Sequence, residues 1–287
     1  MRRSFPLVAL LAGAAVAAAS CRGAGSEPAA RVTAEPAAVR LAYPQSLPLK
    51  LDWQPARALD RQHGRPVAFV HLAVPSEKKN VVLRTFDHPL PKAWIAGQPQ
   101  SYEIEIYQSA LSEPVPPGRY VLSLGLYDGD WGYRWPLQTA GPEVAKREYQ
   151  IATVEVAGPD PTAPGFEFAG AWQPVEKVPT KQVLDRRCFT AAASVAVQAT
   201  SPGAVRLFVS TPPHGASQVR VTSSCASQWS ETVGPETRRW IGAEIGAGRC
   251  EIRLEPAAPS SAASAGAPAG ACLEVLAWRP AATPPAR

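Results

Sequence analysis

Aromatic residues with polar neighbours form the most concentrated group of side chains that could bind a ligand. One predicted hairpin contains seven of them: Tyr127, Asp128, Asp130, Trp131, Tyr133, Arg134 and Trp135. Sugars bind to sites of this composition, because their C–H surfaces stack on aromatic rings while their hydroxyl groups need hydrogen-bond partners. The group is the best candidate binding site in the sequence. The alternative is that these aromatic side chains pack in the core or the rim of a small β-sandwich.

Acidic residues could instead support glycan hydrolysis, which uses two carboxyl groups about 5 to 10 Å apart across a cleft. The candidates are Glu103, Glu105, Asp128 and Asp130. Asp87 and His88 are adjacent in the chain, but no Gly-x-Ser-x-Gly or reactive cysteine motif supplies a nucleophile for them. We therefore expect no enzymatic activity, with a glycan hydrolase as the alternative.

The segment Asp128-Gly129-Asp130 offers oxygen atoms that could bind calcium. It lacks the longer acidic loop and the distal glutamate of an EF-hand, so a plain turn is the favoured interpretation. The sequence predicts no metal and no cofactor.

The cysteines of the C-terminal half predict disulfide bonds. They are Cys188, Cys225, Cys250 and Cys272. A zinc site competes with this interpretation, but no C-x-x-C pair occurs and the only nearby histidine is His214. An even number of cysteines in an exported chain favours two bridges. We expect Cys225 to pair with Cys250 and Cys188 with Cys272, because the terminal strands of a sandwich often lie together.

Short strands must position these side chains, since 31 prolines and 21 glycines interrupt the chain too often for long helices. In the segment Tyr102–Tyr107, Tyr102 and Ile104 alternate with glutamates, as in a strand with one buried face. Seven such segments predict an immunoglobulin-like β-sandwich over residues 39–157: Val39–Tyr43, Leu47–Trp53, Val67–Val74, Val81–Phe86, Tyr102–Tyr107, Tyr120–Tyr127 and Tyr149–Val156.

A proline-rich and glycine-rich segment, residues 158–165, predicts a linker that pairs in no sheet. A second series of strands over 166–279 predicts a second antiparallel β-sandwich, jelly-roll-like, that holds the two disulfides. Residues 280–287 are expected to be a disordered tail. The second sandwich also carries tryptophans that we expect mainly in its core and arginines that we expect as solvated strand flanks: Trp172, Trp229, Trp240, Trp278, Arg186, Arg187, Arg238 and Arg239.

The first residues predict export. Arg2 and Arg3 precede an apolar run from Phe5 to Val16, which is shorter than the roughly 20 residues that a membrane-spanning helix needs. The small residues before Cys21 resemble the lipobox of bacterial lipoproteins, and this resemblance implies a signal peptide over 1–20 and a lipid on Cys21. An ordinary secretory signal is the alternative. Residues 21–38 are expected to be a flexible tether.

Several short motifs between residues 39 and 157 occur in a characteristic order: Val70-His71-Leu72, Asp87-His88-Pro89, Trp94, Pro116-Pro117-Gly118-Arg119-Tyr120 and Gly125-Leu126-Tyr127-Asp128. They resemble an accessory β-sandwich domain at the C-terminal ends of some bacterial membrane glycosyltransferases. The resemblance implies a non-catalytic, immunoglobulin-like module. The membrane-spanning catalytic part of those enzymes has no counterpart here.

Together these observations predict a non-catalytic, lipid-anchored cell-envelope protein that acts as a binding or scaffold module. The expected partners are the membrane, through the N-terminal lipid, and a glycan or another envelope protein. An accessory subunit of an envelope or secretion assembly is a further alternative. Arg22 after the cysteine favours the outer membrane of a diderm, by analogy with known lipoproteins. The net charge of +5 is spread along the chain and gives no reason to expect nucleic-acid binding.

Overall fold

The structure is a computed structural model that describes residues 27–75, 80–211, 218–225, 229–257 and 270–281. These residues form strands and turns, with no helix among them, which confirms the predicted all-β sandwich class. The predicted signal peptide and Cys21 lie outside the described residues. Within the described ranges, no helix is long and apolar enough to cross a membrane.

The described residues of the first sandwich form twelve strands, several of them only two or three residues long. They are β1 (Ala30–Glu35), β2 (Ala38–Tyr43), β3 (Ser46–Pro55), β4 (Pro66–Val74), β5 (Val81–Thr85), β6 (His88–Pro89), β7 (Gln100–Tyr107), β8 (Gly118–Asp128), β9 (Arg134–Trp135), β10 (Leu137–Gln138), β11 (Glu143–Ala145) and β12 (Glu148–Pro159).

These strands form two facing sheets. One has the order β10-β1-β3-β7 and the other β11-β12-β8-β4-β5, with β2 parallel to β12. This distribution of strands between two sheets is that of an immunoglobulin-like sandwich. The Tyr120 hydroxyl donates a hydrogen bond to the Pro116 carbonyl at 2.7 Å, which is the tyrosine corner seen in such folds. Trp53, Leu122 and Trp135 are fully buried in the core.

The structure differs from the predicted tether at residues 30–35, which form β1. This strand pairs antiparallel with β3, and Val32 lies opposite Trp53. Ala30 and Val32 are buried whereas Arg31 is exposed, so the segment has the period-two pattern of a half-buried strand. Its apolar residues are small, so the alternation is a weak indication of a strand.

The described part of the second sandwich follows with nine strands. They are β13 (Gly165–Trp172), β14 (Glu176–Lys177), β15 (Asp185–Ala199), β16 (Gly203–Ser210), β17 (Val219–Ser223), β18 (Ser230–Val233), β19 (Arg238–Ile245), β20 (Gly248–Pro256) and β21 (Ala271–Pro280).

The long strand β15 connects the two layers of this sandwich. Its first part pairs with β14 and β21, and its second part pairs with β13 and β20. The complete order of hydrogen-bonded strands is β18-β17-β20-β15-β21-β16-β19. The core between the layers contains the fully buried Phe189, Leu207 and Ile252. Disulfides join Cys188 to Cys272 and Cys225 to Cys250, which is the expected pairing.

The predicted linker is shorter and better held than the sequence indicated. Pro159 at its start lies opposite Tyr43, and Gly165 at its end pairs with Gln198. Between them, the Asp160 carboxylate accepts a hydrogen bond from the Gln45 side-chain amide at 2.6 Å. The two sandwiches are therefore joined by a fixed turn. At the other end of the chain, β21 extends to Pro280, whereas 282–287 lie outside the described residues.

Candidate functional site

The outer face of the second sandwich is built by side chains that point away from its core. Along β16, Val205 and Leu207 are buried in the core, so the alternate residues Arg206 and Phe208 face outward. Along β19, Ile241 faces the core, and Arg238, Trp240 and Gly242 take the other face. Register pairs Phe208 directly with Trp240, and Arg206 with Gly242.

A bulge in β21 completes this face. Val209 pairs with Leu273 and Phe208 pairs with Val275, so Glu274 is an extra residue on β21. An extra residue shifts the alternation of the strand by one. After it, Val275 and Ala277 join the core of the first sandwich, and Arg279 lies on the same face as they do.

The first sandwich presents β7 and the segment 86–91 to this face. Strand β7 was expected to have one buried face carrying Tyr102, Ile104 and Ile106. Its other face is covered as well, because Glu105 is only 7% exposed and Tyr107 is also buried. Among the described residues, β7 pairs with β3 alone.

Hydrogen bonds hold the two sandwiches against each other. The backbone N–H of Ala110 donates to the Leu276 carbonyl at 2.7 Å, and that of Trp278 donates to the Pro44 carbonyl at 2.8 Å. The Tyr107 hydroxyl donates to the Gln182 carbonyl at 2.8 Å. Because the first two bonds join backbone atoms on both sides, the relative position of the sandwiches is well defined.

An interdomain cleft remains where the packing is incomplete. Its volume is about 720 Å³, which is in the range of small-molecule sites. Both sandwiches line it, with Phe86, Asp87, His88, Pro89, Pro91, Tyr102, Glu103, Ile104, Glu105, Tyr107, Gln182, Arg206, Phe208, Arg238, Trp240 and Arg279.

Three aromatic rings form one wall of the interdomain cleft. The Trp240 ring lies 5.2 Å from the ring centroid of Tyr107 and 5.2 Å from that of Phe208. The Tyr107 ring also contacts Phe86 edge-on at 5.2 Å. Each ring is thus fixed by its neighbours. The half-buried Phe208 and Trp240 can present ring surface to an apolar ligand, and the buried Tyr107 supports them.

An ion-pair network lies beside these rings. The Arg206 Nη2 atom is 2.7 Å from Oε1 of Glu105, and the Arg279 guanidinium contacts the same oxygen. Burial lowers the pKa of both guanidinium groups, but they remain charged. The Glu105 Oε2 atom and the two Nε atoms are buried without a hydrogen-bond partner among the described residues. A polar group in this situation costs about 1 to 3 kcal/mol, so the network has unused hydrogen-bonding capacity.

Arg238 adds a second ion pair at the edge of the cleft. Its Nη2 atom lies 2.5 Å from Oε2 of Glu274, and its guanidinium carbon lies 5.2 Å from the Phe208 ring centroid. Arg238 was expected to be a solvated flank of its strand. It is exposed, but its charge is also paired with Glu274, the buried residue of the bulge.

Asp87 and His88 have local partners. The His88 Nδ1–H donates to the Phe86 carbonyl at 2.9 Å, so its Nε2 accepts from the Tyr102 hydroxyl at 2.9 Å. Burial lowers the pKa of His88, which fits this neutral form. Burial also raises the pKa of Asp87, whose Oδ1 accepts the Val70 N–H at 3.3 Å.

The structure separates the seven residues of the predicted aromatic site. Trp135 is fully buried, and its Nε1–H donates to the Asp60 carbonyl. Asp128 is also buried and accepts four backbone N–H bonds, from His63, Gly64, Asp130 and Trp131. This is the chemistry of a turn, and it leaves Asp128 with no free position for a ligand.

The other members point in different directions. Trp131 is 72% exposed, and its ring stacks on His63 at 4.3 Å. The guanidinium carbons of Arg61 and Arg147 lie 5.3 and 5.0 Å from the Tyr133 ring centroid. Tyr127 and Arg134 both contact Phe69, with the Arg134 guanidinium carbon 4.3 Å from its ring centroid, and Asp130 is exposed. Two of the seven, Tyr133 and Arg134, line one small pocket with Gly132, Lys146 and Arg147, and the interdomain cleft contains none of the seven.

Sequence reasoning missed the interdomain cleft, although a signal for it exists. Tyr107, Phe208 and Trp240 each occupy the polar phase of their strands, opposite the core residues Ile106, Leu207 and Ile241. A large aromatic residue in that phase indicates a second covered face. Trp240 was expected mainly in the core of its own sandwich, but it lies at the contact between the two sandwiches.

Comparisons with known proteins do not assign the chain to a family. No family model and no curated protein matches it. Solved structures match with low scores: the secreted serine protease VesC from Vibrio cholerae (8% identity, 85% of this chain, 49% of that chain, TM-score 0.26), the carbohydrate-binding module CBM36 (14%, 39%, 92%, 0.26) and an exo-beta-1,3-galactanase from Phanerochaete chrysosporium (11%, 82%, 56%, 0.27). This chain thus spans about half of the protease and of the galactanase. At these TM-scores the matches carry no functional argument, and the resemblance to glycosyltransferase accessory domains stays a prediction.

Proposed function

We propose that this protein is a non-catalytic, lipid-anchored protein of the bacterial cell envelope that binds a glycan in the interdomain cleft. The observation that carries the proposal is the aromatic wall of Tyr107, Phe208 and Trp240 beside the ion-pair network of Glu105. Ring faces accept the C–H surfaces of sugars, and guanidinium and carboxylate groups bind hydroxyls. The cleft, at about 720 Å³, has room for a short oligosaccharide.

The charges of the cleft favour a ligand with little net charge. Three arginines line it, and three acidic residues, Asp87, Glu103 and Glu105, balance them. A nucleic acid or a polyphosphate needs an excess of cations, so a neutral glycan is the better fit. The anchor on Cys21 and the outer-membrane location remain part of the proposal, on the basis of the signal sequence.

Binding of envelope polysaccharide fragments by the mature protein tests this proposal. We expect saturable binding by calorimetry that Trp240→Ala weakens by about 30-fold, since central aromatic anchors contribute about 2 kcal/mol. Trp240→Phe keeps the packing and should retain most of the affinity. Trp131→Ala is the matched control outside the cleft. Binding that is lost in Trp131→Ala but unchanged in Trp240→Ala would contradict the proposal, as would the absence of binding to every fragment tested.

Labelling with a palmitate analogue tests the anchor. The wild-type chain should incorporate the label, and Cys21→Ser should not. An unlabelled wild-type chain would remove the lipid from the proposal while leaving the glycan site to its own test.

A glycan hydrolase is the second candidate, because burial raises the pKa of Asp87 in the cleft wall. Raised carboxyl pKa values are typical of proton donors in glycosidases. Against this role, Asp87 Oδ1 is engaged by the Val70 N–H, and Glu105 is neutralised by two arginines. Release of reducing ends from a bound glycan, abolished by Asp87→Asn, would establish the hydrolase instead.

A further inference from the structure

The described chain begins beside one end of the first sandwich. The Arg57 guanidinium donates to the Glu27 carbonyl from Nε and Nη2, at 3.4 and 3.3 Å. The Ala29 N–H donates to the Pro136 carbonyl at 2.7 Å. The Trp94 Nε1–H donates to the Arg57 carbonyl at 2.9 Å, which brings the segment 93–98 to the same end.

This end exposes side chains that a soluble surface usually covers. Trp131 is 72% exposed and Ile95 is 48% exposed, although both are large and apolar. Arg61, His63 and Lys146 are exposed as well: His63 stacks on Trp131, Arg61 lies over Tyr133, and Lys146 lines a small pocket with Gly132 and Tyr133. We call this set, Arg61, His63, Ile95, Trp131 and Lys146, the N-terminal face.

The position of Trp131 is fixed by the turn beneath it. Asp128 accepts the N–H groups of both Trp131 and His63, so it joins the two segments that carry the stacked pair. The Trp131 ring therefore has one face on His63 and the other toward solvent. An aromatic side chain held outward in this way resembles an interfacial anchor more than a core residue.

The segments at this end carry more cations than acids: residues 57–65, 92–95, 130–134 and 143–147, together with Glu27, contain seven lysines and arginines and four acids. Asp60 is paired with Arg57 at 2.8 Å, whereas Glu27, Asp130 and Glu143 are exposed. A tryptophan with neighbouring cations suits the boundary between anionic headgroups and acyl chains.

We infer that the N-terminal face docks on the surface of an anionic bilayer. The inference rests on one part of the proposed function, the lipid anchor on Cys21, because the bilayer that holds this anchor is the one on which the face would dock. Glu27 is six residues after Cys21, and six extended residues reach at most about 22 Å. A membrane that holds the cysteine therefore lies within that distance of Glu27.

A glycan is a poorer occupant of this face. Stacking sites for sugars use open ring faces, but one face of Trp131 is taken by His63, and Tyr133 is covered by Arg61 and Arg147. The N-terminal face therefore offers a sugar one open face of a single ring, Trp131, in place of several neighbouring rings.

Vesicle binding by the mature chain with Cys21→Ala, which carries no acyl group, tests the inference. We expect co-sedimentation with phosphatidylethanolamine–phosphatidylglycerol vesicles at low salt, and weaker binding to phosphatidylcholine vesicles. Trp131→Ala should reduce the anionic binding by about tenfold, and Arg61→Gln with Lys146→Gln should reduce it further and flatten its salt dependence. Val175→Ala and Arg249→Gln, an exposed apolar and a basic residue of the second sandwich, are the matched controls.

Equal binding by wild type and Trp131→Ala, or no vesicle binding at all, would overturn the inference. So would glycan binding that depends on Trp131 in the absence of vesicle binding. Because the assay uses no lipid anchor, its outcome is independent of whether Cys21 is acylated. If the wild-type chain incorporates no palmitate analogue but the unacylated chain still binds vesicles, the proposed lipid anchor is contradicted and the docking face is retained.

Discussion

Arg206 of the second sandwich and Glu105 of the first form a buried ion pair across the domain contact, with Nη2 and Oε1 2.7 Å apart. Arg279 contacts the same carboxylate oxygen. Gly242 lies opposite Arg206 on β19, and a Cβ atom there would come within 2.0 Å of the Arg206 Nη1 atom. The absence of a side chain at Gly242 thus leaves room for the guanidinium to lie along the sheet and reach Glu105.

Removal of Glu105 should destabilise the protein strongly. Glu105→Ala leaves Arg206 and Arg279 buried without their counter-charge, and breaking a buried pair from one side costs about 3 to 5 kcal/mol. Urea unfolding measures this loss. Glu103→Ala, on the same face of the same strand but exposed, should change the free energy of unfolding by less than about 0.5 kcal/mol. Similar losses for both variants would mean that the ion pair contributes nothing beyond β7 itself.

Two tryptophans of the predicted aromatic site should behave in opposite ways. Trp135 is fully buried in the core, so Trp135→Ala should lower the free energy of unfolding by about 3 to 5 kcal/mol. Trp131 is 72% exposed, and its replacement by alanine should stay within about 0.5 kcal/mol. Thermal and urea unfolding of the two variants in parallel give the comparison. A large loss for Trp131→Ala would contradict the structure of this turn.

Asp128 should make stability depend on acid pH. The Gly64 N–H bond, aided by those of His63, Trp131 and Asp130, lowers the Asp128 pKa from 3.8 to about 2, against the opposing effect of burial. Because the Asp128 pKa is lower in the folded state than in the unfolded state, ionisation of this carboxyl stabilises the fold at pH values above about 4. This contribution is lost as the pH falls from about 4 to about 2.

Unfolding free energies measured across that pH window check this prediction. Asp128→Asn should lower stability at neutral pH and flatten the acid limb, because the amide carries no titrating charge. Asp130→Asn, in the same turn but exposed, should leave the limb unchanged. An unaltered acid limb in Asp128→Asn would assign the pH dependence to other carboxylates.

The two disulfides should contribute unequally. Cys188 and Cys272 are separated by 84 residues, and Cys225 and Cys250 by 25. Loop-closure entropy then gives about 4.5 kcal/mol for the first bridge and about 3.5 kcal/mol for the second. Double alanine variants, Cys188→Ala with Cys272→Ala and Cys225→Ala with Cys250→Ala, should show this order in urea. A thiol assay on the unfolded wild type should find neither pair reduced, and the reverse order of stability would contradict the entropic argument.

The sequence by itself determined the strands with strong alternation, because the pattern of core residues is local. All seven segments predicted between residues 39 and 157 overlap strands of the first sandwich, and the disulfide pairing follows the expected one. Strand β1 was missed because its buried residues are small, and alanine gives a weak local preference for a strand.

Only the tertiary structure decided which residues form a site. Whether Trp131 or Trp135 is exposed depends on how the turn held by Asp128 folds over the core. The interdomain cleft depends on the bulge at Glu274, which turns Arg279 toward Glu105 from a strand 174 residues away. Local periodicity identifies the faces of each strand, but it carries no information about which outer face meets another. That choice is made by long-range packing and charge pairing between residues far apart in the chain.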